Sequence, residues 1–154
     1  MGREIERKFL VKGDSWRALA KGTACRQGYL NSAKERIVRI RTIGNEAFLT
    51  IKGPSVGAIR SEYEYEIPLA DCNAMLDTLA EKPIIEKKRY KVPFAGLTWE
   101  IDEFFGDNAG LIVAEVELES EGQILRKPEW AADEVTGDPR YFNSNLIGHP
   151  YARW

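Results

Sequence analysis

The segment IRSEYEYEIPL, residues 59–69, alternates charged side chains with apolar or aromatic ones almost without error. In a β-strand, side chains at positions i and i+2 lie on the same face of the sheet. Arg60, Glu62 and Glu64 therefore share one face, and Tyr63 lies on the opposite one. This period of two predicts a strand with one strongly charged face and one aromatic and aliphatic face.

Similar strand patterns lie on both sides of this segment. Short runs rich in β-branched and aromatic residues are separated by turn residues such as Gly44-Asn45, which favours strands joined as hairpins. The other predicted strands cover residues 3–11, 26–31, 35–43, 46–52, 84–92, 97–104 and 111–119. Helical spacing is confined to a few segments, namely a short one after Ser15, residues 71–81 and residues 140–148. The chain is predicted to be mainly β, with about eight antiparallel strands in hairpin-like succession.

Nearly every predicted strand concentrates its charges on one face. Pairs of the same sign recur at i and i+2, as in Glu4 and Glu6 or Arg39 and Arg41. Like charges at such positions repel each other, and Glu is a poor strand former. An ordinary amphipathic sheet with its charged face in water explains most of the single strands. The recurrence of like-charged pairs on nearly every strand is better tolerated if acidic strands face basic ones, or if bound ions neutralise the charges.

A closed antiparallel barrel meets that condition, because its charged face points inward and closure removes the sheet edges. Its apolar outer face would be covered by helices and loops. The inward acidic residues would be Glu4, Glu6, Glu62, Glu64, Asp102, Glu115 and Glu117. The inward basic residues would be Lys8, Arg39, Arg41, Lys52, Arg60, Lys87 and Arg89. We therefore predict a closed eight-stranded antiparallel β-barrel with a few covering helices.

Balanced but segregated charge of this kind indicates a small polyanionic ligand and a metal ion. Arginine suits phosphate because its planar guanidinium group donates two hydrogen bonds at once. Hard cations such as Mg²⁺ prefer carboxylates, water and phosphate oxygens as ligands. The sequence thus predicts a cavity that binds a triphosphate on its basic wall and a divalent metal on its acidic wall.

The bulk composition favours one globular domain over residues 1–154. The chain is 44% hydrophobic and 30% charged, and its formal net charge of −2 gives no reason to expect a nucleic-acid or anionic-membrane partner. Cys25 and Cys72 are too few for a disulfide framework. The sequence contains neither an apolar signal region nor a run long enough to span a bilayer. We expect a cytoplasmic protein with reduced thiols.

The N-terminal segment from Glu4 to Lys8 contains a Glu-x-Glu-x-Lys motif, and an ordered set of charged motifs follows it. These are Arg39-x-Arg41, Lys52-Gly53, Arg60-x-Glu62-x-Glu64, Lys87-x-Arg89, Asp102, Glu115-x-Glu117, and a C-terminal region of residues 134–138 with Tyr141 and Asn143. This set resembles that of the CYTH proteins, also called triphosphate tunnel metalloenzymes. The resemblance spans nearly the whole chain and implies an eight-stranded antiparallel tunnel with metal and triphosphate inside.

The resemblance also implies roles for individual residues. The metal would be bound by Glu4, Glu6, Glu115 and Glu117, and Asp102 would support the metal shell or orient a basic residue. Phosphate groups would be bound by Lys8, Arg39, Arg41, Lys52, Arg60, Lys87 and Arg89. Glu62 and Glu64 would position a second metal or the attacking water. Tyr29 would lie near Lys87 and influence protonation of the leaving group.

Members of this family include adenylate cyclases, thiamine triphosphatases, RNA triphosphatases and inorganic tripolyphosphatases, so the fold leaves the substrate open. Our leading hypothesis is metal-dependent hydrolysis of the terminal phosphoanhydride of a triphosphate, with Mg²⁺ or Mn²⁺ as cofactor. A short chain without an evident base pocket favours inorganic tripolyphosphate, cleaved to pyrophosphate and phosphate. The alternatives are a class IV adenylate cyclase and a non-catalytic phosphate- or nucleotide-binding module. An outward apolar patch would support a homodimer.

Overall fold

The computed structural model describes residues 2–154, which form mainly antiparallel strands. The strands are β1 (Glu4–Val11), β2 (Gly22–Asn31), β3 (Ile37–Ile43), β4 (Glu46–Lys52), β5 (Ile59–Arg60), β6 (Glu62–Glu66), β7 (Ile85–Phe94), β8 (Leu97–Phe104), β9 (Ile112–Glu117) and β10 (Ala131–Glu134). The α-helix α1 covers Leu69–Thr78. Short 3₁₀ helices lie at Ser15–Ala18, Gly106–Asn108, Pro139–Tyr141, Asn143–Leu146 and Tyr151–Arg153.

The strands pair in the order β10-β1-β9-β8-β7-β2-β3-β4-β6, and β5 pairs separately with β1. Within residues 2–154 this order ends at β10 on one side and at β6 on the other, and these two strands do not pair. The predicted closed eight-stranded barrel is therefore wrong. In the part of the chain that the structure describes, the sheet has ten strands and is not closed.

The pairing of β1 explains why the sheet stays open. One edge of β1 pairs with β9 over most of its length. The other edge is divided, because β5 pairs with Glu4 and Ile5 while β10 pairs with Phe9. Between them, the Glu6 amide donates to the carbonyl of Ala58 at 3.0 Å. No free length of β1 is left for β6, which pairs as a strand with β4.

The segment 59–69, predicted as one strand, is divided between two neighbours. Its first part, Ile59–Arg60, pairs with β1, whereas Glu62–Glu66 pairs with β4. Ser61 lies between the two parts, and its carbonyl accepts a hydrogen bond from the Gly53 amide at 3.1 Å. The segment thus crosses the gap between β1 and β4 without forming a continuous ladder there.

The apolar side chains of the largest core cluster pack on the face of the sheet opposite to the charged one. The largest core cluster contains the buried aromatic residues Phe9, Trp16, Trp99 and Trp130. The Trp99 ring lies 5.3 Å from that of Phe9 and 5.4 Å from that of Trp130, measured between centroids. This packing stabilises β1, β8 and β9, the strands that hold the acidic side chains of the opposite face.

Helix α1 packs against β2, β3 and β4 through Cys72 and Leu76, both fully buried. The close approach requires Gly28 on β2, because a Cβ atom there would lie 2.9 Å from Leu76 Cδ2. The apolar outer face is not covered everywhere, since Tyr63 is 50% and Tyr65 is 58% exposed on β6. The prediction that helices and loops cover the apolar outer face is therefore wrong at this edge.

The smaller elements differ from the sequence predictions at their ends. The helix predicted over residues 71–81 is α1, Leu69–Thr78. The helix predicted over residues 140–148 is replaced by two 3₁₀ helices, which are separated by the extended backbone of Phe142. No helix within residues 2–154 combines the length and the apolar character that crossing a bilayer requires.

Candidate active site

The charged face of the sheet encloses a cavity of about 350 Å³. Strand alternation places its lining, because charged side chains at i and i+2 point to the same side. The predicted site residues that line it are Glu4, Glu6, Lys8, Tyr29, Arg39, Arg41, Lys52, Arg60, Glu62, Glu64, Lys87, Arg89, Glu115 and Glu117. Asp102 does not line the cavity and lies behind its wall. The structure thus brings together side chains from eight of the described strands.

Arg39 and Arg41 on β3 form a basic wall that is only partly neutralised. Their Nη2 atoms lie 3.4 and 3.2 Å, respectively, from Glu64 Oε2 on β6. The Nε atoms of both arginines are buried and have no hydrogen-bond partner among the described residues. Burial and the positive charges of Arg39 and Arg89 lower the pKa of Arg41. An anion that accepted these hydrogen bonds would satisfy the donors and neutralise the charge.

Glu64 provides an ionised carboxylate next to this wall. Its Oε2 atom accepts a 2.6 Å hydrogen bond from Thr50 Oγ1. Burial alone would raise the pKa of Glu64, but the Thr50 hydrogen bond and the charges of Arg41 and Arg39 lower it. Sequence reasoning did not assign Thr50 to the site, although the pairing of β4 with β6 places it directly opposite Glu64.

Behind the cavity wall, Asp102 on β8 joins the two cations of β7. Its carboxylate accepts hydrogen bonds of 2.8 Å from both Nε and Nη2 of Arg89, and it lies 2.9 Å from Lys87 Nζ. Burial would raise the pKa of Asp102, but the charges of Arg89 and Lys87 lower it. Asp102 is 2% exposed, so it can orient Lys87 and Arg89 but does not itself face a ligand.

On the acidic side, Glu6 of β1 lies beside Glu115 of β9. Burial and the negative charges of Glu115 and Glu4 hold the pKa of Glu6 well above its ordinary value. Burial opposes ionisation of Glu115 too, but Lys8, a hydrogen bond from Glu6 and Arg89 hold its pKa well below the ordinary value. The two pKa values are thus shifted in opposite directions, so Glu6 is the more readily protonated of the two carboxyl groups.

Lys52 of β4 forms one ion pair across the gap in the sheet, to β1, and a second one to its paired strand β6. Its Nζ atom lies 3.0 Å from Glu4 Oε1 on β1 and 3.4 Å from Glu62 Oε2 on β6. Nearby, Arg60 donates from Nε and Nη2 to the Gly53 carbonyl at 3.2 and 3.0 Å, which braces the loop after β4. The ion pair between Lys52 and Glu4 thus connects β4 with β1, which have no ladder between them.

The acidic wall fits a divalent metal by the chemistry of its donors. Carboxylate oxygens are available from Glu4, Glu6, Glu115 and Glu117, and hard cations prefer such ligands. Within residues 2–154 no three acidic, Cys or His side chains already form a cluster of metal-binding geometry. Burial and nearby carboxylates nevertheless raise the pKa values of Glu4, Glu6 and Glu117, although Lys52 partly offsets this for Glu4. A cation would relieve this repulsion.

Two amide side chains to which sequence reasoning assigned no role connect Tyr29 with Lys87. Asn143 Oδ1 accepts hydrogen bonds from Lys87 Nζ at 2.9 Å and from Gln27 Nε2 at 3.2 Å. Gln27 Nε2 also donates to the Tyr29 hydroxyl at 2.8 Å. The sequence contains one signal for Gln27, which lies two residues before Tyr29 and therefore on the same strand face.

Comparison with known proteins places this cavity in a defined family. The CYTH domain matches residues 2–147. The chain therefore belongs to the CYTH family.

Individual relatives agree with that assignment. The chain is 54% identical over 151 residues to an inorganic triphosphatase of Acetivibrio thermocellus, covering 98% of this chain and 97% of that protein. It is 40% identical over 148 residues to an inorganic triphosphatase of Nitrosomonas europaea, covering 93% and 95% of the two proteins. A crystal structure of an inorganic triphosphatase superposes with a TM-score of 0.63 at 36% identity, covering 94% of this chain and 93% of that chain.

Proposed function

We propose that this protein hydrolyses the terminal phosphoanhydride bond of inorganic tripolyphosphate, in a reaction that depends on Mg²⁺ or Mn²⁺. The observation that favours this most is that a cavity with a carboxylate wall is also lined by Arg39 and Arg41, whose buried Nε atoms have no hydrogen-bond partner among the described residues. Two inorganic triphosphatases that match this chain over nearly their whole length support the same substrate class.

The two walls have separate tasks in this proposal. The basic side chains bind the phosphate groups and hold the chain of three phosphates in one position. These are Lys8, Arg39, Arg41, Lys52, Arg60, Lys87 and Arg89. The divalent cation would be held by Glu4, Glu6, Glu115 and Glu117. When bound, it supplies positive charge that neutralises phosphate oxygens.

The hydrolytic step needs no covalent intermediate with the protein. A water oxygen attacks the terminal phosphorus, the bridging P–O bond breaks, and its electron pair goes to the oxygen of the pyrophosphate that leaves. Glu64 is ionised and, with Glu62, can orient the water and accept its proton. Lys87 and Tyr29 line the cavity and can donate hydrogen bonds to the leaving oxygen.

The lining favours inorganic tripolyphosphate over a nucleotide. Charged side chains that suit phosphate or metal occupy most of the described cavity wall, and its aromatic members are Tyr29, Phe48 and Phe142. A nucleoside triphosphate would bring an apolar base that needs stacking partners. Tripolyphosphate presents phosphate oxygens at both ends, and these match the charged groups directly.

The first test is phosphate release from tripolyphosphate, ATP, thiamine triphosphate and pyrophosphate, each with Mg²⁺, with Mn²⁺ and with EDTA. We expect rapid metal-dependent release from tripolyphosphate and much slower release from the other three. Equal or faster release from ATP would reject the inorganic substrate. Formation of cyclic AMP and pyrophosphate from ATP would instead identify a cyclase. Binding of tripolyphosphate without release would identify a non-catalytic module.

Replacing Arg41 with glutamine is expected to lower kcat/KM for tripolyphosphate about 10- to 100-fold, because a hydrogen bond to a charged group contributes about 1.5–3 kcal/mol. The fold should remain stable, because Arg41 is repelled by Arg39 and Arg89. Steady-state kinetics and thermal unfolding measure both effects. Arg26→Gln is the matched control, since Arg26 contacts Asn73 and Asp77 outside the cavity. An equal loss of kcat/KM in both variants would contradict the assignment.

A further inference from the structure

The hydrogen bonds between Lys87 and Tyr29 have a direction that is fixed at the Lys87 end. Asp102 Oδ2 and Asn143 Oδ1 each lie 2.9 Å from Lys87 Nζ. An ammonium group only donates hydrogen bonds, so Asn143 must present its carbonyl oxygen to it. That oxygen can only accept, and its second donor is Gln27 Nε2 at 3.2 Å.

The same Gln27 nitrogen determines whether the Tyr29 hydroxyl donates or accepts in their hydrogen bond. Gln27 Nε2 lies 2.8 Å from the Tyr29 oxygen and must donate to it. The phenolic oxygen therefore accepts, and this contact does not use the single Tyr29 hydroxyl hydrogen. Tyr29 is 3% exposed and lines the cavity. Its O–H group is thus available to donate to a ligand there.

The opposite orientation of the Gln27 amide is unfavourable. It would place Gln27 Oε1 beside Asn143 Oδ1, so that two acceptors faced each other, and it would draw the Tyr29 hydrogen away from the cavity. In the observed orientation Gln27 Oε1 is buried and has no hydrogen-bond partner within residues 2–154. A buried carbonyl without a partner is unusual, and its retention calls for a functional reason.

The position of Gln27 excludes direct contact with a ligand. Gln27 is fully buried and is not among the residues that line the cavity, whereas Tyr29, Lys87 and Asn143 are. Any effect of Gln27 on the reaction must therefore act through the residues to which it is hydrogen-bonded. This distinguishes a positioning residue from a catalytic one.

We propose that Gln27 and Asn143 are positioning residues that hold the Tyr29 hydroxyl as a hydrogen-bond donor directed into the cavity, toward an oxygen of the bound triphosphate. This inference rests on the proposed function, because the acceptor is a phosphate oxygen of the substrate. Lys87 donates to the Asn143 carbonyl, which also accepts from Gln27. Gln27 donates to the Tyr29 oxygen as well, so the Tyr29 hydrogen can be donated to the ligand. The network thus aligns two donors, Lys87 and Tyr29, on the same wall.

Replacing Gln27 with methionine tests the proposal. Methionine has similar length, removes the donor to Tyr29 and also removes the unpartnered carbonyl. We expect kcat for tripolyphosphate to fall about ten-fold, the effect of one lost hydrogen bond, while KM changes by less than about two-fold. In a Tyr29→Phe background the same substitution should have no further effect, because its target hydroxyl is absent. Gln123→Met is the matched control, since Gln123 accepts from the Glu119 amide outside the cavity, and it should leave kcat and KM unchanged.

Two outcomes would overturn the proposal. Wild-type kcat in Gln27→Met would show that the Tyr29 hydroxyl needs no partner. An equal loss of kcat with and without the Tyr29 hydroxyl would show a general structural role for Gln27. If Gln27→Met does not fold, Gln27→Glu replaces it, because a carboxylate accepts the Tyr29 hydrogen and reverses the bond. The same fall in kcat is expected, and an unchanged kcat contradicts the proposal.

A readout that does not depend on turnover separates this proposal from the proposed function. The ¹³C resonance of Tyr29 Cζ, assigned by its absence in Tyr29→Phe, should shift between the wild type and Gln27→Met. If the wild-type protein releases no phosphate from tripolyphosphate, the proposed function is rejected. The Tyr29 resonance still tests the hydrogen bond in that case, because it does not depend on turnover. An identical resonance in the two proteins would reject the network itself.

Discussion

Replacing Glu6 with glutamine is expected to abolish metal-dependent phosphate release and, in the absence of metal, to stabilise the fold. Glu6 is proposed as a metal ligand, and a neutral amide binds a hard cation more weakly than a carboxylate does. Even residues that only orient metal ligands change affinity or activity by about 10- to 100-fold. We therefore expect a loss of at least about 100-fold in kcat.

The gain in stability follows from the environment of Glu6 in the metal-free protein. Burial, Glu115 and Glu4 raise the pKa of Glu6 in the folded state. A raised folded pKa means that the charged form is penalised, so stability is lost as the pH rises through that pKa. Glutamine cannot ionise, and its amide can still donate to Glu115. Relief on the order of 1 kcal/mol would raise Tm by roughly 2–4 °C for a chain of this size.

Thermal unfolding in EDTA at several pH values measures this effect. The Tm difference between Glu6→Gln and the wild type should grow as the pH rises from the ordinary carboxyl range toward neutral. Glu86→Gln is the matched control, because Glu86 is an exposed residue of β7. Glu6→Gln would contradict the prediction if it retained metal-dependent turnover or if it were less stable than the wild type in EDTA at neutral pH.

The strand period explains why so much of the cavity lining could be predicted from the sequence. Alternation is a local property, so Glu4 and Glu6, or Arg39 and Arg41, point to one side wherever their strand lies. All predicted site residues except Asp102 line the cavity for this reason. The same period holds for Asp102, yet its short side chain is fully engaged by Arg89 and Lys87 behind the wall. Alternation therefore predicts on which face of the sheet a side chain lies, but not how deeply that side chain is buried.

Closure of the sheet could not be predicted by the same argument. A charged inner face requires that its strands surround a common space, but it does not require an unbroken ladder of hydrogen bonds. Here Ser61 divides the alternating segment, and β5, Ala58 and β10 occupy the edge of β1 that a closing strand would need. The two-residue length of β5 depends on contacts between residues far apart in the chain. Periodicity contains no information about such contacts.

The link between Lys87 and Tyr29 lay outside sequence reasoning for a related reason. It joins β2, β7 and the 3₁₀ helix at Asn143–Leu146, which are brought together only by the folded chain. A single Gln in a strand is compatible with either an exposed or a buried position. Gln27 lies opposite Ile85 where β2 pairs with β7, and its burial is visible only in three dimensions.

Replacing Asp102 with asparagine is expected to cause the largest loss of stability of any substitution considered for this site. Asp102 neutralises Lys87 and Arg89, which are 3% and 6% exposed. Breaking a buried ion pair by removing one partner costs about 3–5 kcal/mol, because an uncompensated charge is left inside the protein. Arg89 keeps Glu115 and Glu100 as partners at 3.2 and 3.3 Å, so we expect the lower end of that range.

The loss of stability in Asp102→Asn should depend on pH. The pKa of Asp102 is lowered in the folded protein, so its contribution is complete above the ordinary carboxyl pKa and is lost as the pH falls through the folded pKa. The Tm difference between wild type and Asp102→Asn should thus be full at neutral pH, about 6–12 °C for about 3 kcal/mol, and should shrink in acid.

Asp77→Asn is the matched control, because Asp77 pairs with Arg26 on the surface at 3.3 Å with a side chain that is 66% exposed. An exposed pair contributes about 0–1 kcal/mol, so this variant should change Tm by no more than a few degrees. Equal effects of Asp102→Asn and Asp77→Asn would show that Lys87 and Arg89 are hydrated in the folded protein. In that case the cavity wall would not hold them in fixed positions. The hydrogen-bond directions inferred for Asn143 and Gln27, which depend on a fixed Lys87, would then be unsupported.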